Sequence, residues 1–345
     1  ARAGPATVTE TAAEKLARIR PIIAASTRSS ANVALLGDKE LLFHPAGDAV
    51  LMYQRVGDSL VALGDPLGHP GRFEELAWSF RELCDAGNAE CVFYEVSDNW
   101  LPIYIDLGLS FSRLGEKARV KLAGYEPAGG DRVVGDGGLA FEVVPAAGVP
   151  DILDQLERVS DQWLATNQVC EKGFSLGRFA AEYLANFDCA VLRQDREIVA
   201  FTNLWQGAKL EELSLDLMRF ADAAPADAMD QMFSRIMSWA KTRGFKWFSL
   251  GLVPPAQAEQ HDALAPLWHR LGNLVYPFGE SFQSFEGLRS YVAKFEPVWE
   301  PRYLASKGGM DLPTTLIDTT RLISRQGMAT VPGSGITGST ASAFS

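Results

Sequence analysis

The 345-residue sequence lacks most of the motifs that mark the common enzyme classes. It has no C-x-x-C pair and no cysteine spacing suited to a metal, so Cys84, Cys91, Cys170 and Cys189 read as reduced, mostly core thiols in a cytosolic setting. The histidines His44, His69, His261 and His269 are few and scattered and H-E-x-x-H does not occur, while the one G-x-S-x-G match, Gly173-Phe174-Ser175-Leu176-Gly177, follows no expected strand. There is no Walker A loop, and the one G-x-G-x-x-G, over 333–338, falls in a Ser-, Gly- and Thr-rich stretch with no strand before it and no helix after it. Metal hydrolase, kinase and dehydrogenase readings therefore lose their usual support. No apolar run approaches the ~18 residues that span a bilayer. No basic-then-apolar leader follows Ala1, so the chain is expected to be processed or a piece of something longer. Cations are outnumbered, 32 Lys and Arg against 43 Asp and Glu, for a net charge of −11. That balance argues against a surface that grips nucleic acid or anionic lipid all over, and leaves room for local basic sites.

What is present is ordinary for a folded protein, with 47% hydrophobic and 22% charged residues and a length that suggests two domains. The spacing of Leu16, Ile19, Ile22 and Ile23 predicts an amphipathic helix over 9–25, broken at Pro21. A Ser-, Gly- and Thr-rich stretch over 326–345 reads as a mobile tail. Between them one order of elements occurs twice. Strands Ala49–Val56 and Ser59–Leu63 flank a Gly57-Asp58 turn, and a helix over 72–85 and a strand over 91–96 follow. Strands over 198–205 and 210–217 surround Gly207, then come a helix over 226–243 and a strand over 247–250.

This hairpin, helix, strand order resembles the GCN5-related acyltransferase fold, in which a splayed strand pair admits an acyl donor. The expected fold class is α+β, a tandem GNAT-like arrangement of two copies of a mixed sheet flanked by helices. The expected division is a helix and linker over 1–29, a first copy over 30–148, a second copy with the active site over 149–325, and the tail. Order alone is shared by many α+β domains.

Several segments make the resemblance specific. Leu63-Gly64-Asp65-Pro66-Leu67-Gly68, Phe93-Tyr94-Glu95-Val96, Asp106-Leu107-Gly108-Leu109, Glu171-Lys172-Gly173-Phe174-Ser175-Leu176-Gly177, Asp216-Leu217-Met218-Arg219 and Pro297-Val298-Trp299-Glu300-Pro301-Arg302-Tyr303 occur in that order. The series, over about residues 30–305, resembles the catalytic domain of the aminoacyl-phosphatidylglycerol synthases, the multiple peptide resistance factors. The resemblance implies transfer of lysine, the commoner donor, or alanine from aminoacyl-tRNA to phosphatidylglycerol, lowering membrane negative charge. It also implies an upstream transmembrane flippase region and work at the cytoplasmic face of the bacterial inner membrane. Exchange of one ester for another needs no redox cofactor, and no metal is expected. The enzyme must orient a hydroxyl against an ester carbonyl, help remove its proton and stabilise an oxyanion.

The resemblance implies four catalytic candidates, Asp216, Arg219, Glu280 and Lys294. Asp216 would take the donor amine or the proton of the lipid hydroxyl, and Arg219 a phosphate. Side chains three apart on a strand face opposite ways, so the two converge only if the chain turns near Met218. The alternative is a surface ion pair worth at most about 1 kcal/mol. Glu280 and Lys294 would read the donor amine and the lipid phosphate, or lie on solvated faces. Arg289 and Arg302 are further phosphate candidates. Lys117, Arg119 and Lys121 alternate on one strand face, and Arg243 crowds a helix end with Arg235, Lys241 and Lys246. These clusters are solvated faces or contacts to tRNA and anionic lipid. The loop Gly64-Asp65-Pro66 reads as a turn without a catalytic role. Relatives typically carry a basic helical stretch where 124–138 here is glycine-rich with only Arg132, and a second lysine where Val292 stands. Asp216→Asn or Arg219→Ala is expected to abolish transfer while leaving thermal unfolding little changed.

Two other readings compete. A peptidoglycan-type aminoacyl-tRNA transferase or a coenzyme A-dependent N-acyltransferase would share the fold, but the second wants a glycine-rich loop before the second helix, and 221–227 has no glycine. A non-catalytic binding module of the same fold predicts no turnover.

Overall fold

The computed structural model describes residues 10–127, 138–167, 169–255, 285–309 and 312–324. Helix α1 (Ala12–Ala25) starts with a capping box between Thr11 and Glu14 and buries Ile19, Ile22 and Ile23. It runs straight through Pro21, against the expected break. Pro21 removes one hydrogen bond close to the helix end, and buried isoleucines on both sides keep the last turn packed. The tail over 326–345 lies outside the described residues.

The first hairpin, helix, strand unit comprises β1 (Glu40–Phe43), β2 (Ala49–Val56), β3 (Ser59–Leu63), the short β4 (Leu67–Gly68), α2 (Phe73–Ala86) and β5 (Glu90–Ser97). Gly57 turns the hairpin at φ 52°, a value only glycine takes without strain. Helix α2 buries Phe73, Leu76, Ala77, Phe80 and Cys84, a 3.6-residue stripe. Helix α3 (Leu101–Asp106) and strand β6 (Ser110–Lys121) follow. The second unit comprises β7 (Ala140–Val144), α4 (Val149–Asn167), α5 (Ala181–Leu184), β8 (Cys189–Gln194), β9 (Glu197–Gln206), β10 (Glu212–Phe220), α6 (Ala228–Arg243) and β11 (Trp247–Val253). Gly244, at φ 88°, stops α6. Then come α7 (Phe285–Ala293), β12 (Val298–Ser306) and α8 (Leu312–Ser324). Cys84, Cys91 and Cys189 are buried free thiols, whereas Cys170 is exposed.

The strands form one 12-stranded mixed sheet in the order β1-β2-β3-β5-β12-β6-β11-β10-β9-β8-β7, with β4 beside β2. The α+β tandem expectation is met, with the same order in both units. Strands from the two ranges interleave, however. Strand β12 lies between β5 and β6, and β6 pairs with β11 on its other side. Each unit therefore gains a strand from the far part of the chain.

Both parallel pairs come apart partway. Strands β10 and β11 pair only from Glu212↔Trp247 to Ser214↔Ser249, and each is bulged beyond that point. Strands β3 and β5 pair as far as Leu63↔Tyr94, where the Gly64 N–H makes a last bond to the Tyr94 carbonyl at 2.7 Å. Parallel strands that separate leave backbone and side chains open to a ligand, and one cleft joins the two openings.

Candidate active site

The cleft has a volume of about 1130 Å³, and both units line it: Gly64, Asp65 and Glu95 from the first splay, Ser214, Ser249 and Gly251 from the second. Its floor is built by charge. Glu212 is buried and accepts hydrogen bonds from Lys117 Nζ at 2.8 and 2.9 Å and from the Ser29 hydroxyl at 2.6 Å, and it forms an ion pair with Arg119, whose Nε lies 2.8 Å away. Burial alone would raise its pKa, but Lys117 and Arg119 outweigh that and hold the carboxyl down at about 2. Arg119 also reaches Glu300 at 2.8 Å and stacks on Trp247, and Glu300 bonds Arg302 at 2.9 Å. On the opposite wall, Asp65 accepts from Tyr104 Oη at 2.8 Å, from Ser97 Oγ at 2.8 Å and from the Ser97 N–H, while Arg28 donates to the Asp65 and Pro66 carbonyls at 2.8 Å. The expected turn is thus a buried anchor in the cleft wall.

Asp216 and Arg219 lie inside β10, which extends to Phe220, past the expected strand end at 217. The side-chain conflict is resolved by a bulge. Between Leu215↔Leu204 and Met218↔Thr202, β10 advances three residues while β9 advances two. Asn203 fits this bulge, its Oδ1 accepting from the Leu217 N–H at 3.0 Å and its Nδ2 donating to Asp216 at 3.0 Å. Asp216 also accepts from the Gly177 N–H and from Tyr183 Oη, both at 2.8 Å, and Trp205 Nε1 donates to Tyr183 at 3.0 Å. Burial raises the Asp216 pKa, against these hydrogen bonds. Arg219 pairs with Glu171 at 2.9 Å and stacks 4.3 Å over Trp163. Both residues are buried, which excludes the surface ion pair. Arg219 Nη1 and Glu171 Oε1 are buried with no hydrogen-bond partner among the described residues. Gly177 has no room for a side chain, because an added Cβ would run into the Asp216 carboxylate. Gly177→Ala is expected to cost about 2 kcal/mol and to lower the melting temperature and slow any catalysis together. An unchanged thermal midpoint would contradict this packing.

The other sequence candidates divide. Lys117, Arg119 and Arg302 line the cleft, but the first two are neutralised by Glu212 instead of presenting a free basic face. Lys121 is exposed at the strand end. Arg289 bonds Glu116 at 2.6 Å and the Pro254 carbonyl at 2.7 Å and stacks on Trp299. Lys294 is exposed, 4.7 Å from the Tyr291 ring centre, in the turn just after α7 rather than among the cleft residues. Arg243 is exposed and stacks on Trp239. Its neighbours are engaged within the fold: Arg235 with the Leu139 carbonyl, Lys241 with Glu126 and Lys246 with Glu211. Glu280 and Arg132 lie outside the described residues.

The family model described as "Phosphatidylglycerol lysyltransferase, C-terminal" matches residues 20–306, a range that takes in every element of this site. The chain belongs to the phosphatidylglycerol lysyltransferase C-terminal family. It is therefore a member of an aminoacyltransferase family. It is 30% identical over 296 residues to the phosphatidylglycerol lysyltransferase of Staphylococcus haemolyticus, a match that takes in 83% of this chain and 35% of that protein. The chain thus spans about a third of the length of the curated relatives it matches. Among solved structures it is similar to a C-terminal domain described as that of a lysylphosphatidylglycerol synthetase from Agrobacterium fabrum, with TM-score 0.81 and 38% identity over 91% of this chain and 98% of the other. It is also similar to L-PGS from Bacillus licheniformis, with TM-score 0.78 and 32% identity over 90% and 97%.

Within this family member, sequence reasoning overlooked Glu212, Asn203 and Tyr183. A signal for two of them was present: Asn203 interrupts an apolar strand, and Glu212 opens one, yet both are fully buried. A polar residue inside a buried strand must find partners, and these find the binding candidates Lys117 and Arg119 and the catalytic candidate Asp216.

Proposed function

We propose that this chain transfers lysine from its tRNA ester to a glycerol hydroxyl of phosphatidylglycerol, with the cleft holding the aminoacyl group against the lipid headgroup. The observation that carries the reading is the charge of the cleft. Arg28, Lys117, Arg119 and Arg302 stand among the carboxylates of Asp48, Asp65, Glu95, Asp98, Glu211, Glu212 and Glu300. Such a wall attracts ammonium groups overall and still offers cations to a single phosphate. Lysine brings two ammonium groups and phosphatidylglycerol one phosphate, whereas a bare polyanion would be repelled. This favours lysine over alanine.

In this reading Arg219 is a positioning residue off the cleft lining: with Glu171 and Trp163 it anchors the segment whose Ser175 and Leu176 line the cleft, against the expectation that it holds a phosphate. The tRNA body and the membrane lie outside the cleft and meet exposed cations such as Lys121, Lys294 and Arg243, so binding is weak and salt-sensitive. Among the described residues no helix is long and apolar enough to cross a membrane. Tethering to the cytoplasmic face of the inner membrane would come from an upstream transmembrane region such as the resemblance implies.

The test incubates the chain with phosphatidylglycerol vesicles and tRNA charged separately with labelled lysine or alanine, then resolves the lipids. Labelled lipid from lysyl-tRNA, and much less from alanyl-tRNA, is expected. A folded sample that labels no lipid from either donor would overturn the reading and favour a non-catalytic binding module.

A further inference from the structure

We propose that Glu95, in the first unit, is the proton acceptor of the reaction, working on the acceptor hydroxyl across the cleft. The inference rests on the transfer reaction proposed above and assigns its proton to a residue outside the second unit.

The backbone at Glu95 carries the first argument. Glu95 sits where β5 and β12 slip register, between Val96↔Tyr303 and Tyr94↔Leu304, so it is the extra residue of a bulge. Its φ is 67°, in the left-handed region that costs a non-glycine residue free energy. Such bulges re-aim a side chain, and here the side chain lines the cleft at the mouth of the first splay. A residue with only a packing role would gain nothing from this conformation, and glycine would serve better.

The carboxylate carries the second. Asp65 and Asp216 spend their oxygens on fixed donors, whereas Glu95 makes no hydrogen bond or salt bridge to any described residue. Its charged surroundings are Arg302 on β12, Lys117 on β6, Arg28 after α1 and Asp65 after β3. Burial raises its pKa above the ordinary carboxyl range, and the three cations pull the other way. A carboxylate whose pKa is moved upward takes a hydroxyl proton more readily. Asp216 would have to give up hydrogen bonds to do the same.

The step balances without a further reactant. As the lipid hydroxyl oxygen bonds to the ester carbonyl carbon, its proton passes to the Glu95 carboxylate. When the carbonyl re-forms, the bond to the ribose oxygen breaks and that oxygen takes the proton back from Glu95. One ester is consumed and one is made.

The experiment follows lysyl lipid formation by the chain with lysyl-tRNA and phosphatidylglycerol vesicles, over pH 5 to 9, for the parent, Glu95→Gln, Glu95→Gly and Glu95→Ala with and without added formate. Glu95→Gln is expected to lower kcat about a hundredfold or more with KM little changed, and to remove the acid limb of the rate profile. Formate is expected to restore part of the activity of Glu95→Ala. Glu95→Gly is expected to melt at a higher temperature than the parent while losing transfer, because it relieves the backbone and removes the base. An active parent with Glu95→Gln within threefold of it, or a loss confined to KM with the acid limb intact, would overturn the assignment alone. No lysyl lipid from the parent would overturn the proposed function, and this assignment with it.

Discussion

Glu212→Gln is expected to destabilise the protein by about 3 kcal/mol or more at pH 7, the scale found when one partner of a buried ion pair is removed. The variant keeps the shape and removes the charge that holds Lys117 and Arg119 on the cleft floor. Arg119 retains Glu300, but Glu212 is the one carboxylate bonded to Lys117 among the described residues. The same group sets a pH dependence. Its pKa falls from 4.5 to about 2 on folding, so its contribution is fully present above pH 4.5 and is lost as pH falls through about 2. At 1.36 kcal/mol per pH unit this amounts to about 3 kcal/mol. Urea unfolding at pH 7 and pH 3 should show the parent losing more stability on acidification than Glu212→Gln. Equal midpoints at pH 7 would contradict the arrangement.

Asp216→Asn is expected to reduce lysyl transfer more than a hundredfold and also to destabilise the fold by about 2 kcal/mol, which revises the sequence-based expectation of unchanged unfolding. Asp216 accepts three hydrogen bonds in a buried site, and an amide can accept at one oxygen only. In either orientation its NH₂ would face a donor: the Gly177 N–H, which is fixed backbone, or the Asn203 amide, which cannot turn over without releasing the Leu217 N–H of the bulge. The loss would travel through Gly177 to Ser175 and Leu176, which line the cleft. Paired measurements of transfer rate and urea midpoint check this. A variant that keeps both would show that Asp216 neither shapes the cleft nor serves the reaction.

Much of the fold was legible because its determinants are local. The Gly57-Asp58 turn, the apolar stripes of α2 and α6 and the glycine after α6 each declare their element within a few residues. The site is legible in part, since the sequence alone points to Lys117, Arg119 and Arg302, which line the cleft, and to Asp216 and Arg219, which lie behind its wall. What escaped depends on distant pairs. Lys117 and Glu212 are 95 positions apart, so a cation that reads as a free basic face is in fact neutralised. The bulge at Met218 escaped for the same reason: register is set by the neighbouring strand and by Asn203, not by the residues that bulge.

The interleaving of β6 and β12 has a consequence for how the chain assembles as it is made. Arg119 and Glu300 are separated by 181 positions yet bond across neighbouring strands. Until residues 298–306 leave the ribosome, β5 and β6 have no strand to bridge them, and a half-made sheet must wait with two unpaired edges. Long-range closure of this kind is slow, and the waiting edges are the ones another nascent chain could occupy. Low temperature and fewer chains made at once should therefore raise the yield of folded protein more than changes to its surface would.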